Sequence, residues 1–230
     1  MDVLFLEAPY SGEIKLNKET INYLKENSFK KVGLYASVQF CNNLDKVKLQ
    51  LEELEIKAIT SRADRTHVEG QLLGCDVYHD SLNSEEEVEA YLYIGDGKFH
   101  PLALVYTQKD SEKLKEIICN DPMRNSMSKM SIEDIKNILK KYKASLIKFL
   151  SSDNVGVIVT IKPGQEQLQP GYALEKKYPN KKFYFFIDNV VSFSQLENFN
   201  FIDCWVNTTC PRVGFDDQEK FEKGVVNLND

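Results

Sequence analysis

At 230 residues the chain is long enough for one large domain or two small ones, and its 42% apolar and 28% charged content is that of a soluble globular protein with a sizeable core. A net charge of −6 supplies no global basic surface, which argues against direct nucleic-acid binding through bulk electrostatics. No apolar run approaches the roughly 18 to 20 residues of a membrane-spanning helix, and the opening MDVLFLEAPY is acidic where a signal peptide would be basic, so the expectation is a cytoplasmic protein with no membrane partner.

Residues 3–6 read as a short buried strand, and residues 18–25, with Ile21 and Leu24 three apart, as the start of an amphipathic helix. Residues 31–38 are a nearly continuous apolar strand, the kind found in sheets covered on both faces. After Gln39-Phe40-Cys41, Leu44, Val47, Leu51 and Leu54 recur at the helical period, and residues 56–59 start another strand. A polar loop over residues 61–71 leads to a Gly74-Cys75 turn, the acidic run 85–87 reads as a solvated face, and residues 90–94 and 102–106 read as apolar strands. Residues 111–151 are expected to form a long helical bridge, with Ile132, Ile135, Ile138 and Leu139 at helical spacing and Ser131 with Asp134 as a variant capping box. A second alternation follows: strand 155–161, a turn at Lys162-Pro-Gly-Gln165, helix to Lys177, strand 183–187, a short helix near 193–196 and strand 202–207. The expected fold class is therefore α/β, with two similar units of mainly parallel sheet flanked by helices, over residues 1–107 and 108–230.

Ligands of parallel α/β sheets collect beyond the carboxyl ends of the strands. In this chain those exits carry Gln39 and Cys41, then Gly95-Asp96-Gly97-Lys98-Phe99-His100, then Lys162-Pro-Gly164-Gln165, and finally Thr208-Thr-Cys210-Pro-Arg212. Gly95 and Gly97 around Asp96 are compatible with a simple tight turn, and the full spacing of a phosphate-cradling loop is missing. The five cysteines, Cys41, Cys75, Cys119, Cys204 and Cys210, are odd in number and irregularly spaced, and no C-x-x-C pair occurs, so neither a disulfide framework nor a usual zinc signature is present. Cys119, on a helical pattern, Cys204, on a strand pattern, and Trp205 are expected in the core. Cys210 stands apart, because Pro211 interrupts regular hydrogen bonding behind it and Arg212 lies close enough to stabilise a thiolate or an anionic group.

Four ordered motifs, Gly70-Gln-Leu-Leu-Gly-Cys75, Tyr93-Ile-Gly-Asp-Gly-Lys-Phe-His-Pro101, Val159-Thr-Ile-Lys-Pro-Gly-Gln165 and Trp205-Val-Asn-Thr-Thr-Cys-Pro-Arg212, resemble those of the diphthamide synthase family, especially its archaeal members. The resemblance implies a noncanonical radical enzyme in which three cysteines from three α/β domains hold one 4Fe-4S cluster. That cluster cleaves S-adenosylmethionine, and a 3-amino-3-carboxypropyl group passes to a histidine of translation elongation factor 2. Carried over by motif, Cys75 is the ligand from the family's middle domain and Cys210 the ligand from its last. Gln39, Gly95, Asp96, Gly97, His100, Lys162, Gly164, Gln165 and Arg212 are expected to line the S-adenosylmethionine pocket. The 74 residues ahead of Cys75 leave no room for the family's first domain and its cysteine. The expected source of the third ligand is a second chain, in a hetero-oligomer or a homodimer; Cys41 as a substitute, or a noncatalytic accessory subunit, are the alternatives.

Overall fold

The computed structural model describes residues 8–84, 86–162 and 165–230, so the strand expected at residues 3–6 lies outside the described residues. The chain divides into two compact units, the first ending at Ile135 and the second running from Lys136 to Asp230.

In the first unit, helix α1 (Lys18–Asn27) starts where the Asn17 side chain accepts from the Thr20 N–H at 2.8 Å, satisfying one of the free donors of the first turn. Strand β1 (Lys31–Ala36) is followed by a single helical turn, α2 (Val38–Cys41), and by α3 (Leu44–Glu53), which buries Leu44, Val47 and Leu51 as their spacing requires. Next come β2 (Lys57–Ile59), the long connection that contains Cys75, β3 (Ala90–Ile94), α4 (Pro101–Tyr106), β4 (Glu116–Asp121) and β5 (Ser126–Met130). The sheet order is β2-β1-β3-β4-β5, parallel throughout except for the antiparallel β4–β5 pair. Leu34, Ala36, Leu92, Ile94 and Ile118 from the sheet form one core with Leu24 of α1 and with Leu44, Val47 and Leu51 of α3.

Two expectations are corrected here. Residues 102–106 are helical: Pro101 occupies the first helical position, where its fixed φ suits the turn and its missing N–H costs nothing, and a short apolar run does not by itself separate a strand from a buried helix. The expected bridge over residues 111–151 begins instead with the hairpin β4–β5, which extends the first sheet, so the boundary falls after Ile135 and not at 107/108. Cys119 accordingly lies on a strand. The capping pair is present, with Asp134 accepting from the Ser131 N–H at 2.8 Å before a 3₁₀ turn over Ile132–Ile135.

The second unit opens with α5 (Lys136–Ser151) and continues through β6 (Asn154–Thr160), α6 (Leu168–Lys177), β7 (Lys182–Asp188), α7 (Phe193–Leu196), β8 (Cys204–Asn207), α8 (Pro211–Asp216) and β9 (Val225–Asn227). All four strands are parallel, in the order β7-β6-β8-β9. One face of the sheet packs Val155, Val157, Val159 and Val206 with Phe149 and Leu174 from the helices, and the other packs Ile158, Trp205 and Val225 with Phe221. The two units share one plan. In each, the first strand is central, the second lies on one side of it, and the third and fourth lie on the other.

Candidate functional site

That strand order creates a switch point in each sheet, because the chain leaves two neighbouring strands in opposite directions and opens a crevice at their carboxyl ends. In the first unit the switch point lies between β1 and β3, where residues 37–41 and 95–100 emerge. In the second it lies between β6 and β8, where residues 161–162 and 208–210 emerge. The polar exits singled out in the sequence therefore gather at one place in each unit.

Cys75 reaches the first of these places by an indirect route. Gln71 forms a parallel bridge with Ala36, and the Leu72 N–H donates to the Ala36 carbonyl at 2.8 Å, prolonging the edge of β1 beyond the reach of β2. The chain then turns at Gly74-Cys75, closed by the Asp76 N–H donating to the Leu73 carbonyl at 3.1 Å. In return the Asp76 carboxylate accepts from the Leu73 N–H at 2.8 Å. Gly74 faces the ring of Phe99 so closely that a side chain at position 74 would collide with it. The Cys75 turn is thereby set against the loop that leaves β3. In that loop Gly95 is buried over the Tyr93 phenol, Gly97 has φ 67, Asp96 is exposed, and His100 stands edge-on to Phe99 with ring centroids 5.4 Å apart. The positive φ at Gly97 suits glycine and explains its place in the turn. Gln39, half-buried, lies on α2 at the neighbouring exit, where its carbonyl accepts from the Tyr10 N–H at 2.8 Å.

In the second unit Cys210 caps α8, with the Val213 N–H donating to its carbonyl at 2.9 Å and Pro211 in the first helical turn. The buried Asn207 at the end of β8 organises this corner. Its amide donates to the Cys210 carbonyl at 3.0 Å and to Asn227 at 2.8 Å, and its oxygen accepts from the Thr209 N–H at 3.1 Å and hydroxyl at 2.7 Å. At the adjacent exit the expected turn closes through the Gln165 N–H donating to the Lys162 carbonyl at 3.1 Å, with the Lys162 side chain exposed. Gly164 lies outside the described residues. Arg212 is not presented to solvent: it is 5% exposed, and its guanidinium donates to Asp216 from Nε at 2.8 Å and from Nη2 at 2.6 Å.

The five thiols separate into two classes. Cys41, Cys119 and Cys204 are buried, and burial pushes each thiol up to about 12, so at neutral pH all three are protonated core groups. Cys41 additionally points its thiol at the Ser37 carbonyl, 3.4 Å away. Cys75 and Cys210 are half-exposed. Among the described residues no three His, Cys, Asp or Glu side chains converge as a metal site. Each unit thus offers a single accessible cysteine, at or beside its switch point. Soft, solvent-accessible thiolates are the donor type that suits an iron–sulfur cluster, and these two thiols meet that requirement where the other three do not.

Sequence reasoning passed over Asp76 and Asn207. Asp76 is 2% exposed, and burial, opposed by the Leu73 N–H, raises its pKa to about 6. Its adjacency to Cys75 was the available signal. For Asn207 the signal was an Asn two residues before a Thr at a strand end, the pattern of a local side-chain-to-backbone turn.

Over its whole length, residues 1–230, the chain matches the family described as diphthamide synthesis protein. The chain belongs to that family. Among relatives in the family, the chain is 29% identical over 212 residues to the 2-(3-amino-3-carboxypropyl)histidine synthase of Pyrococcus horikoshii, a match covering 91% of this chain and 58% of that protein. It is 26% identical to subunit 1 of the Encephalitozoon cuniculi enzyme of the same name, over 88% of this chain and 56% of that one. The crystal structure of Dph2 from Pyrococcus horikoshii with a 4Fe-4S cluster superposes with a TM-score of 0.74 at 29% identity, covering 92% of this chain and 58% of that chain. The two mainly parallel α/β units of this chain are thus shared with the matched part of that structure, and the chain spans a little under three fifths of the length of these relatives.

Proposed function

We propose that this chain contributes the middle and last α/β domains of a 2-(3-amino-3-carboxypropyl)histidine synthase, acting in the first step of diphthamide synthesis. The reaction is transfer of a 3-amino-3-carboxypropyl group from S-adenosylmethionine to a histidine of translation elongation factor 2, in the cytoplasm. The observation that carries this reading is the division of the thiols: only Cys75 and Cys210 are half-exposed, and both stand in the motifs that carry the family resemblance. In this proposal they are two thiolate ligands of a 4Fe-4S cluster. The proposed source of the third is a second chain of the family. Burial of Cys41 and protonation of its thiol weigh against its serving as the substitute.

A 4Fe-4S cluster held in part by Cys75 and Cys210 would supply the one electron needed to cleave a carbon–sulfur bond of S-adenosylmethionine and release the 3-amino-3-carboxypropyl group from methylthioadenosine. The chain's own residues hold and orient that substrate. Asp96, exposed in its turn, is suited to the substrate's ammonium, and Lys162 to its carboxylate. Gln39, His100 and Gln165, all half-buried at these exits, offer hydrogen bonds, while Gly95 and Gly97 allow close backbone approach; Gly164, proposed for the same pocket, lies outside the described residues. Arg212, occupied by Asp216, is assigned a positioning role behind Cys210 and not a direct contact.

The test is an anaerobic assay of the chain with a cysteine-supplying family partner, elongation factor 2, dithionite and S-adenosylmethionine labelled in its carboxypropyl arm. The expected result is label on elongation factor 2 that disappears with Cys75→Ala or Cys210→Ala. Transfer that is equally efficient without this chain would overturn the proposal.

A further inference from the structure

The net charge of −6 hides a sharp division within the second unit. Residues 136–182 hold ten lysines against three acidic residues, a net charge of +7, whereas residues 183–230 hold eight acidic residues against three basic ones, a net charge of −5. Seven of those ten lysines lie on α5 and α6, so the excess is placed on two helices and not scattered. The two helices cover the same face of the sheet: Phe149 and Leu174 join one core, and the Phe149 and Tyr178 rings meet with centroids 5.2 Å apart. At 3.6 residues per turn, Lys136, Lys140, Lys143 and Ile147 share the side of α5 opposite its buried Tyr142, Ser145 and Phe149. Lys176 of the neighbouring helix is likewise exposed. The outer surface of this layer is therefore a lysine face.

Elsewhere in the chain lysines are matched by acids. Lys31 and Lys57 share Glu86, Lys129 pairs with Glu116, and Lys141, on the flank of α5, pairs with Glu219. Among the described residues Lys140, Lys143 and Lys176 enter no ion pair. Lys136 with Lys140 and Lys140 with Lys143 are instead like-charge neighbours at i, i+4 and i, i+3, an arrangement that destabilises a helix and that an anionic partner relieves. The composition selects the anion. No arginine occurs between residues 136 and 182, so the face lacks the planar fork that grips single carboxylates and offers point charges suited to a continuous row of phosphates. From Lys136 to Lys143 the stripe is about 10 Å long at 1.5 Å per residue, over which a nucleic-acid duplex presents roughly six backbone charges. A lipid surface fits less well, because the apolar side of α5 is committed to the core and leaves Ile147 and Leu150 as its exposed large apolar side chains.

We propose that the α5–α6 face docks RNA through its phosphate backbone, without reading its sequence. The choice of RNA over DNA rests on the cytoplasmic setting proposed above; the choice of a phosphodiester polymer rests on the lysine face itself. The surface lies wholly within the second unit, includes neither Cys210 nor Lys162, and needs no metal. The cluster-free chain therefore tests it independently of the proposed chemistry.

The test is fluorescence anisotropy of a labelled RNA duplex of about 20 base pairs titrated with the 230-residue chain over a salt series starting near 50 mM, with folding of each variant checked by circular dichroism. The wild type is expected to bind, with an affinity that falls linearly in log salt. Lys140→Glu combined with Lys143→Glu should weaken binding roughly tenfold or more and flatten the slope by about 1.5, two phosphate contacts at roughly 0.7–0.9 each. Lys25→Glu with Lys46→Glu, which makes the same change in total charge at exposed positions of the first unit, should weaken it less than about threefold. Absence of binding at the lowest salt would overturn the proposal, as would equal losses in the two double variants. Tighter binding of polyglutamate of matched charge, of phosphatidylserine vesicles, or of a DNA duplex of the same length would overturn it in favour of an acidic protein, a membrane or DNA.

Discussion

Replacement of Asn207 by alanine is the most demanding test of how the corner around Cys210 is built. Asn207 is 1% exposed, and its side chain makes four hydrogen bonds, to the Cys210 carbonyl, to Asn227 and to the Thr209 N–H and hydroxyl. Truncation removes all four and leaves their partners in a corner where Thr208, Thr209 and Asn227 are also buried. A buried polar group left without a partner costs about 1–3 kcal/mol, and hydroxyl rotation or an entering water would recover part of that, so a net loss of about 3 kcal/mol is expected. Urea unfolding of the second unit, followed by the fluorescence of its buried Trp205, reads this as a lower midpoint at unchanged slope. The same variant should change the alkylation rate of Cys210 while leaving that of Cys75 alone. A loss under about 1 kcal/mol, with Cys210 reactivity unchanged, would refute the claim that Asn207 holds this corner.

In the native chain, iodoacetamide should label Cys75 and Cys210 within minutes and Cys41, Cys119 and Cys204 only on unfolding, as peptide mass mapping would show; early labelling of Cys41 would contradict its burial. For Asp76 the folded pKa near 6 lies above the ordinary carboxylate value, so the folded state holds its proton more tightly than the unfolded state does. Stability from this group is therefore greatest in acid and declines as pH rises from about 4 to about 6, by about 3 kcal/mol in the metal-free chain. Asp76→Asn should remove that decline from a series of urea midpoints against pH; identical profiles would refute it. Gly74→Val should displace the half-exposed Phe99 ring at a stability cost below about 1 kcal/mol while lowering iron loading of Cys75, measured as iron per chain. Arg212→Ala should cost about 2–3 kcal/mol in thermal or urea unfolding, because Asp216 would lose its partner at the edge of a buried corner.

The strands β1, β3, β6 and β8 were legible in the sequence because they are covered on both faces and so written as apolar runs. Their carboxyl ends could be placed from that alone. The pairing order was not legible, and with it the switch points: nothing local in residues 31–36 or 154–160 states that each strand is central. The β4–β5 hairpin was hidden by the exposed Ser126, Ser128 and Lys129 of β5, which left only two methionines as an apolar signal, and α4 was misread because six apolar residues fit either period. Cys210 drew attention by its proline. The role of Arg212 did not follow from proximity to Cys210, since an i, i+4 carboxylate on the same helix takes up its guanidinium. The meeting of Gly74 with Phe99, from segments 25 residues apart, is a tertiary contact that only the folded chain displays.

The central claim, that Cys75 and Cys210 are thiolate ligands of one iron–sulfur cluster, is tested most directly by anaerobic reconstitution with iron and sulfide, in the presence of a family chain able to supply the third cysteine. The account predicts a sulfur-to-iron charge-transfer absorbance with four irons per cluster, lost in Cys75→Ala and in Cys210→Ala and retained in Cys41→Ala. A wild type that stays colourless with and without the partner, or a cluster that survives both substitutions, would contradict it.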